Sequence, residues 1–96
     1  MNKPPQFLDG AKVLRYCILD EGVSPTGSHT IHIGDELFTP SAAAVCQYAG
    51  NSKFYVFYCD GEWDVVTDMD YDSLNEAVSW IEHGYRGAAA NMQTSK

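Results

Sequence analysis

The run from Phe54 to Thr67 (FYVFYCDGEWDVVT) does most to narrow what this chain can fold into. Aromatic and β-branched residues crowd both sides of an Asp-Gly pair, a composition that suits a pleated, half-buried surface and not a helix. A two-residue type I′ turn at Asp60-Gly61 would pair Tyr58 with Trp63, Val56 with Val65 and Phe54 with Thr67. One face then carries Phe54, Val56, Tyr58, Trp63, Val65 and Met69. The opposite face carries Tyr55, Phe57, Val66, Asp64 and Asp68.

Directly after this hairpin the period changes from two to that of a helix. Ser73 with Glu76 three residues on is a capping box, and Asp72 adds negative charge at the helix N-terminus. Leu74, Ala77, Val78, Ile81 and Tyr85 form one apolar stripe with Trp80 on its flank. Gly84 is expected just past the helix as the C′ residue. The stripe must cover a sheet face, and the face with Trp63 and Val65 is the better match because the other includes two aspartates.

Upstream, Lys12 to Leu19 alternates as a strand, with Leu14, Tyr16 and Ile18 on one side and Val13, Arg15 and Cys17 on the other. Residues 20–28 hold two glycines, a proline and two serines, so they read as a loop. His29 to Ile33 reads as a second strand, turning at Gly34-Asp35 into Glu36-Leu37-Phe38. Ala43 to Ala49 has a helical flavour, but its Gly50-Asn51 turn into Phe54 favours a strand. A two-residue loop there opposes Val45 to Val56, whereas a three-residue loop pairs Tyr48 with Phe54 and Cys46 with Val56; the register stays open.

Strands followed by one helix predict an α+β fold: a twisted antiparallel sheet of about five strands packed by a single C-terminal helix. The sheet is barrel-like if strand 1 or residues 20–40 close over Tyr55 and Phe57. At 96 residues the chain is expected to be a single domain spanning 1–96, with an ordered core over 11–86 and flexible tails at 1–10 and 87–96. The start MNKPPQFLDG has no apolar h-region, and no run reaches bilayer length, so a cytoplasmic location is expected.

Few side chains combine into chemistry. Asp68-x-Asp70-x-Asp72 opens like a calcium loop, but Ser73 stands where glycine is needed and Ser79 where a bidentate Glu belongs. His29 and His32 would point to opposite faces of a strand, and His83 sits at a helix end, so no metal site is expected. Cys17, Cys46 and Cys59 are odd in number, lack C-x-x-C spacing and fall in expected strands, which makes them core thiols. No catalytic residue and no cofactor is predicted.

Charge then separates the function classes. Thirteen acids against six Lys and Arg give a net charge of −7, which disfavours nucleic-acid and anionic-membrane partners. The charge is local: Asp60, Glu62, Asp64, Asp68, Asp70 and Asp72 fall in one short stretch with no base among them. Beside them, Tyr55, Phe57 and Val66 form a face that one helix on the other side cannot cover. Tyr55, Phe57 and Val66, ringed by Glu62, Asp64 and Asp68, are therefore the expected interaction surface. Such a surface suits a homodimer or a basic protein partner, in the manner of a small acidic inhibitor or immunity-type protein. The alternative is a small-molecule binding module, with an apolar pocket between helix and sheet lined by Tyr58, Trp63, Trp80 and Tyr85.

The stretch Lys53–Gly87 resembles a family of small uncharacterised bacterial proteins. These join an aromatic strand ending in Tyr-Cys-Asp, a tight turn, a Trp-bearing strand ending in Thr-Asp, and a Ser-Leu-x-x-Ala helix. The resemblance rests on Phe54, Tyr55, Phe57, Tyr58, Cys59, Asp60, Trp63, Thr67, Asp68, Ser73, Leu74 and Ala77. Glu82-His83-Gly84-Tyr85 departs from the acidic-aromatic helix ending of that family. In size and style the chain is also similar to proteins encoded on mobile integron gene cassettes. The resemblance implies a bacterial cytosolic protein with an antiparallel sheet and a C-terminal helix, and implies no activity.

Overall fold

The computed structural model describes residues 1–20 and 22–95; Glu21, within the expected 20–28 loop, and Lys96, at the end of the expected tail, lie outside the described residues. In chain order the first elements are β1 (Phe7–Leu8), β2 (Ala11–Ile18), β3 (Ser24–Pro25), β4 (Ile31–Ile33), β5 (Glu36–Phe38) and β6 (Ala42–Gln47). There follow β7 (Phe54–Cys59), β8 (Val65–Tyr71), α1 (Leu74–Gly84), β9 (Tyr85–Arg86) and β10 (Gln93–Thr94). The main sheet is antiparallel in the order β1-β2-β6-β7-β8, and β10 shares with β1 the outer edge of β2. It curls strongly into a half-barrel, with α1 packed against it. The expected α+β architecture is the observed one.

The two faces of the sheet hold separate cores. On the helix side, Ala77 and Ile81 of α1 pack with Cys17, Val45, Val56 and Tyr58, and Tyr85 continues the layer. On the far side, Phe57 and Cys59 pack with Val13, Tyr16, Leu8 and Trp63. Val45 opposes Val56 and Cys46 opposes Tyr55, so the register near residue 50 is the one that the shorter loop required.

Four local expectations give way to side-chain and backbone detail. The 60–64 connection is no two-residue turn, and among its residues Trp63 alone has positive φ, at 65°. Asp60 Oδ1 accepts from the Glu62 and Asp64 amides at 2.9 and 3.0 Å, which widens the loop and sets Thr67, in place of Trp63, opposite Tyr58. The left-handed Trp63 backbone swings the indole to the far face, edge-on to Tyr16 with centroids 6.0 Å apart. Its Nε1 donates to the Asn2 carbonyl at 2.9 Å. Trp63 and Val65 thus leave the helix face on which they were expected. A left-handed non-glycine costs about 1–2 kcal/mol, and the buried indole and its hydrogen bonds offset that.

A bulge between Val13 and Arg15 breaks the alternation of β2, so Val13 shares the far face with Tyr16 while Cys17 faces the helix. Both segments expected to be tails supply edge strands, β1 and β10, and Leu8 is buried. Ser24 and Pro25, expected in loop, pair with Arg86 and Tyr85.

The N-cap half of the expected capping box is present, Ser73 Oγ accepting from the Glu76 amide at 3.0 Å, whereas the Glu76 carboxylate does not return to the Ser73 amide. Asp72 pairs with Lys53. Beyond the C-terminus, the Glu82 carboxylate accepts from the Gly87 and Ala89 amides, the latter at 2.9 Å. Gly87 has φ 97°, and a Cβ there would lie 2.5 Å from the Gly22 carbonyl oxygen, so only glycine fits the turn that Glu82 clasps.

The bonds from Ala89 and Gly87 hold the Glu82 carboxyl below its ordinary pKa. A depressed folded-state pKa adds stability that is present above the unfolded value and is lost as pH falls through the folded one. The substitution Glu82→Gln is expected to cost about 1 kcal/mol at neutral pH by urea denaturation. The gap from wild type should close as pH falls below the ordinary carboxylate range and through the lowered folded-state value. A gap that ignores pH would remove the clasp from the stability of the fold.

Candidate functional site

Spacing on three elements opens a cleft between the helix and the sheet. Glu76 and Trp80, four apart on α1, form one wall. Thr67, Met69 and Tyr71 alternate onto the helix side of β8 and, with Tyr58 across from Thr67, form the other. Residues 28–31 close it from above. The enclosed volume is about 550 Å³.

The upper segment is held by the last carbonyls of the helix. Thr26 Oγ1 donates to the His83 carbonyl at 2.8 Å, and the Thr26 amide donates to Gly84 at 3.0 Å. His29 Nε2 donates to the Trp80 carbonyl at 2.8 Å, while its ring stacks on Trp80 at 6.1 Å. The same ring lies 5.8 Å from His83 and 6.1 Å from Tyr85. Gly84 makes this approach possible: a Cβ there would lie 1.9 Å from His29 Cδ2. It is the final helical residue and not the C′ position, and Tyr85 in extended backbone is the C-cap. Gly84 is thus required by packing against a ring, not by a left-handed turn.

Burial pushes the Tyr58 phenol up, with Tyr71 and Tyr85 adding to it. Tyr71 is also raised, by burial first and then by the Glu76 and Asp70 carboxylates. Asp70 lies between Met69 and Tyr71 on the cleft's edge strand. The thiols stand apart from this site. Burial raises Cys17 to about 11 and Cys46 and Cys59 to about 12, so all three are neutral core groups.

Of the expected pocket residues, Tyr58 and Trp80 line the cleft, and Tyr85 sits behind it, 5.8 Å from Tyr58. Trp63 belongs to the opposite face and is excluded. The expected interaction surface loses its centre. Phe57 is 1% exposed and Tyr55 is partly buried, because Trp63, Tyr16 and β1 build a second core over them. Val66 is also partly buried, at the bulge in β8. Glu62, Asp64 and Asp68 remain exposed, without an aromatic patch among them.

Reading His29 to Ile33 as a strand set the histidines apart, whereas β4 begins at Ile31 and leaves His29 free to meet His83. Nothing near His29 in sequence announces that contact. The Glu76–Trp80 spacing was a usable signal for one wall. Among the described residues no three His, Cys, Asp or Glu side chains converge closely enough to hold a metal ion. No helix among them is long and apolar enough to cross a membrane. Comparison with protein families, curated proteins and solved structures returned no match.

The Gly84–His29 contact gives a test in which a sign reverses. Gly84→Ala alone is expected to destabilise by about 1–3 kcal/mol, since the held imidazole cannot give way freely. In a His29→Ala background the same change should be neutral or stabilising by up to about 1 kcal/mol, the helix preference of alanine over glycine. Equal costs in both backgrounds, by chemical denaturation, would show that the ring contact does not anchor the 26–31 segment.

Proposed function

We propose that this protein is a non-enzymatic binding module whose small-molecule ligand enters the cleft between α1 and β8. The cleft itself carries the reading. Its volume falls within the range of ligand pockets, about 300–1,000 Å³, and it combines aromatic walls with a few polar groups. Binding is favoured over turnover because the imidazole in the cleft, His29, commits Nε2–H to a backbone carbonyl. The thiols lie elsewhere, in the core.

A thermal-shift screen of small molecules tests this directly. A ligand at a hundredfold excess over Kd adds about 2.7 kcal/mol, which is a rise of several degrees in Tm for a domain this small. The same ligand should change tryptophan fluorescence in wild type but not in Trp80→Phe, which leaves only Trp63 on the far face. A change that survives Trp80→Phe would place binding outside the cleft.

A second reading, self-association, is favoured by a different feature from the one expected. The β4–β5 hairpin pairs with no other strand among the described residues and exposes Ile33 by 53% and Leu37 by 62%. Exposed apolar side chains on a free two-stranded arm suit a second copy of the chain. In that case Leu37→Asp converts a dimer to a monomer in light scattering. Wild type that stays monomeric at high concentration would end this reading.

A further inference from the structure

We infer that the cleft between α1 and β8 selects a compact alkylated ammonium ion, held by the faces of Tyr58, Tyr71 and Trp80 with Glu76 as counter-ion. This rests on the binding reading above and adds the class of ligand.

Three observations converge on it. The first is the makeup of the walls. Three aromatic residues and Met69 line the space with Glu76, Asp70 and His29, and no Lys or Arg is among the lining residues. Aromatic faces carry negative quadrupole potential, which attracts cations and not anions. The second is the position of Glu76. Its amide is capped by Ser73, but its carboxylate has no hydrogen-bond or ion-pair partner among the described residues. A closed capping box would have turned that carboxylate back to the Ser73 amide. It instead lines the cleft, one helical turn from Trp80. The third is the neighbouring cation. Lys53 pairs directly with Asp72 and acts on Glu76 only from a distance, so no ion pair occupies the Glu76 carboxylate among the described residues. The raised Tyr71 phenol agrees, since Glu76 and Asp70 both contribute to holding its proton.

The degree of alkylation follows from the aromatic and methionine side chains of the walls. A bare ammonium carries three donors and a strongly held hydration shell, and entering this cleft would strip it against mostly apolar walls. An alkylated ammonium spreads its charge over methyl groups, loses less hydration, and presents apolar surface to Met69 and the rings. Glu76, with Asp70 bordering the same cleft, then supplies the counter-charge.

The test uses three probes of one shape: choline, neohexyl alcohol with carbon in place of the nitrogen, and the anion of tert-butylacetic acid. NMR titration of the intact chain follows the Trp80 indole and Met69 methyl signals. Choline should bind about tenfold more tightly than the alcohol, and the anion weakest. Glu76→Gln, which keeps the capped amide and a helix-compatible side chain, should remove the preference for choline while the alcohol still binds. Equal binding of choline and alcohol, tighter binding of the anion, or a choline preference that survives Glu76→Gln overturns the inference while leaving a binding cleft in place. Silence from all three probes also overturns it. The binding reading itself then stands or falls on the thermal-shift screen.

Discussion

The whole arrangement depends on the smallness of β6. Ala42, Ala43, Ala44, Val45 and Cys46 have no exposed surface, and they lie in the middle of the main sheet. A central strand buried on both faces must accept large neighbours from above and below without voids or overlap. Alanine does this by giving room. Ala43 sits opposite Tyr58 on the helix side, and Ala44 sits opposite Phe57 on the far side. Larger residues at these positions would push either α1 or the Trp63 loop away from the sheet. The cleft would then lose the spacing between Trp80 and Tyr58 that defines it.

That dependence explains why the far face is core and not surface. One helix covers one face, and the described residues form no second helix. The other face is covered by short pieces: Leu8 from β1, the bulged part of β2, and a tryptophan delivered by a strained loop. Each buries modest area, but together they reduce Phe57 to 1% exposure. The strain at Trp63 and the order of the first ten residues are thus one feature. The indole needs the Asn2 carbonyl, and the N-terminal segment needs the indole.

Much of this was legible from residues alone. Helix position, its Ser73 cap, the strand nature of the alanine run, and the division of Val56 and Tyr58 from Tyr55 and Phe57 all follow from local period and composition. What escaped has a common cause. The 60–64 loop was misread because the Asp60 side chain supplies hydrogen bonds that a two-residue turn would leave to the backbone. The β2 bulge inverted the sides of Val13 and Tyr16 relative to simple alternation. The contact of His29 with Gly84 joins residues far apart in sequence, and no periodicity encodes it. Of the site, the helix wall and Tyr58 were readable. The outer strand was not, because it depends on a register four residues from the expected one, and the roof was not, because it hangs on contacts of Thr26 and His29 with the end of α1.

The acidic excess can now be divided by what each carboxylate does. Asp60 shapes its own loop, Asp72 holds Lys53, and Glu82 clasps the turn after the helix. Asp68 and Asp70 lie on β8, whose outer edge is unpaired among the described residues. Charge on an open edge strand opposes pairing with another chain, and Asp70 also borders the cleft. These acids also bear on where a second copy could dock: the charged β8 edge resists it, whereas the β4–β5 arm offers apolar side chains. Glu76 stands in the first turn of α1, where a negative charge suits the helix dipole, and its amide, not its carboxylate, is bonded by the cap. Its carboxylate, free of a hydrogen-bond partner among the described residues, borders the cleft beside Trp80 and so joins the charge of the helix start to the aromatic-walled space between α1 and β8.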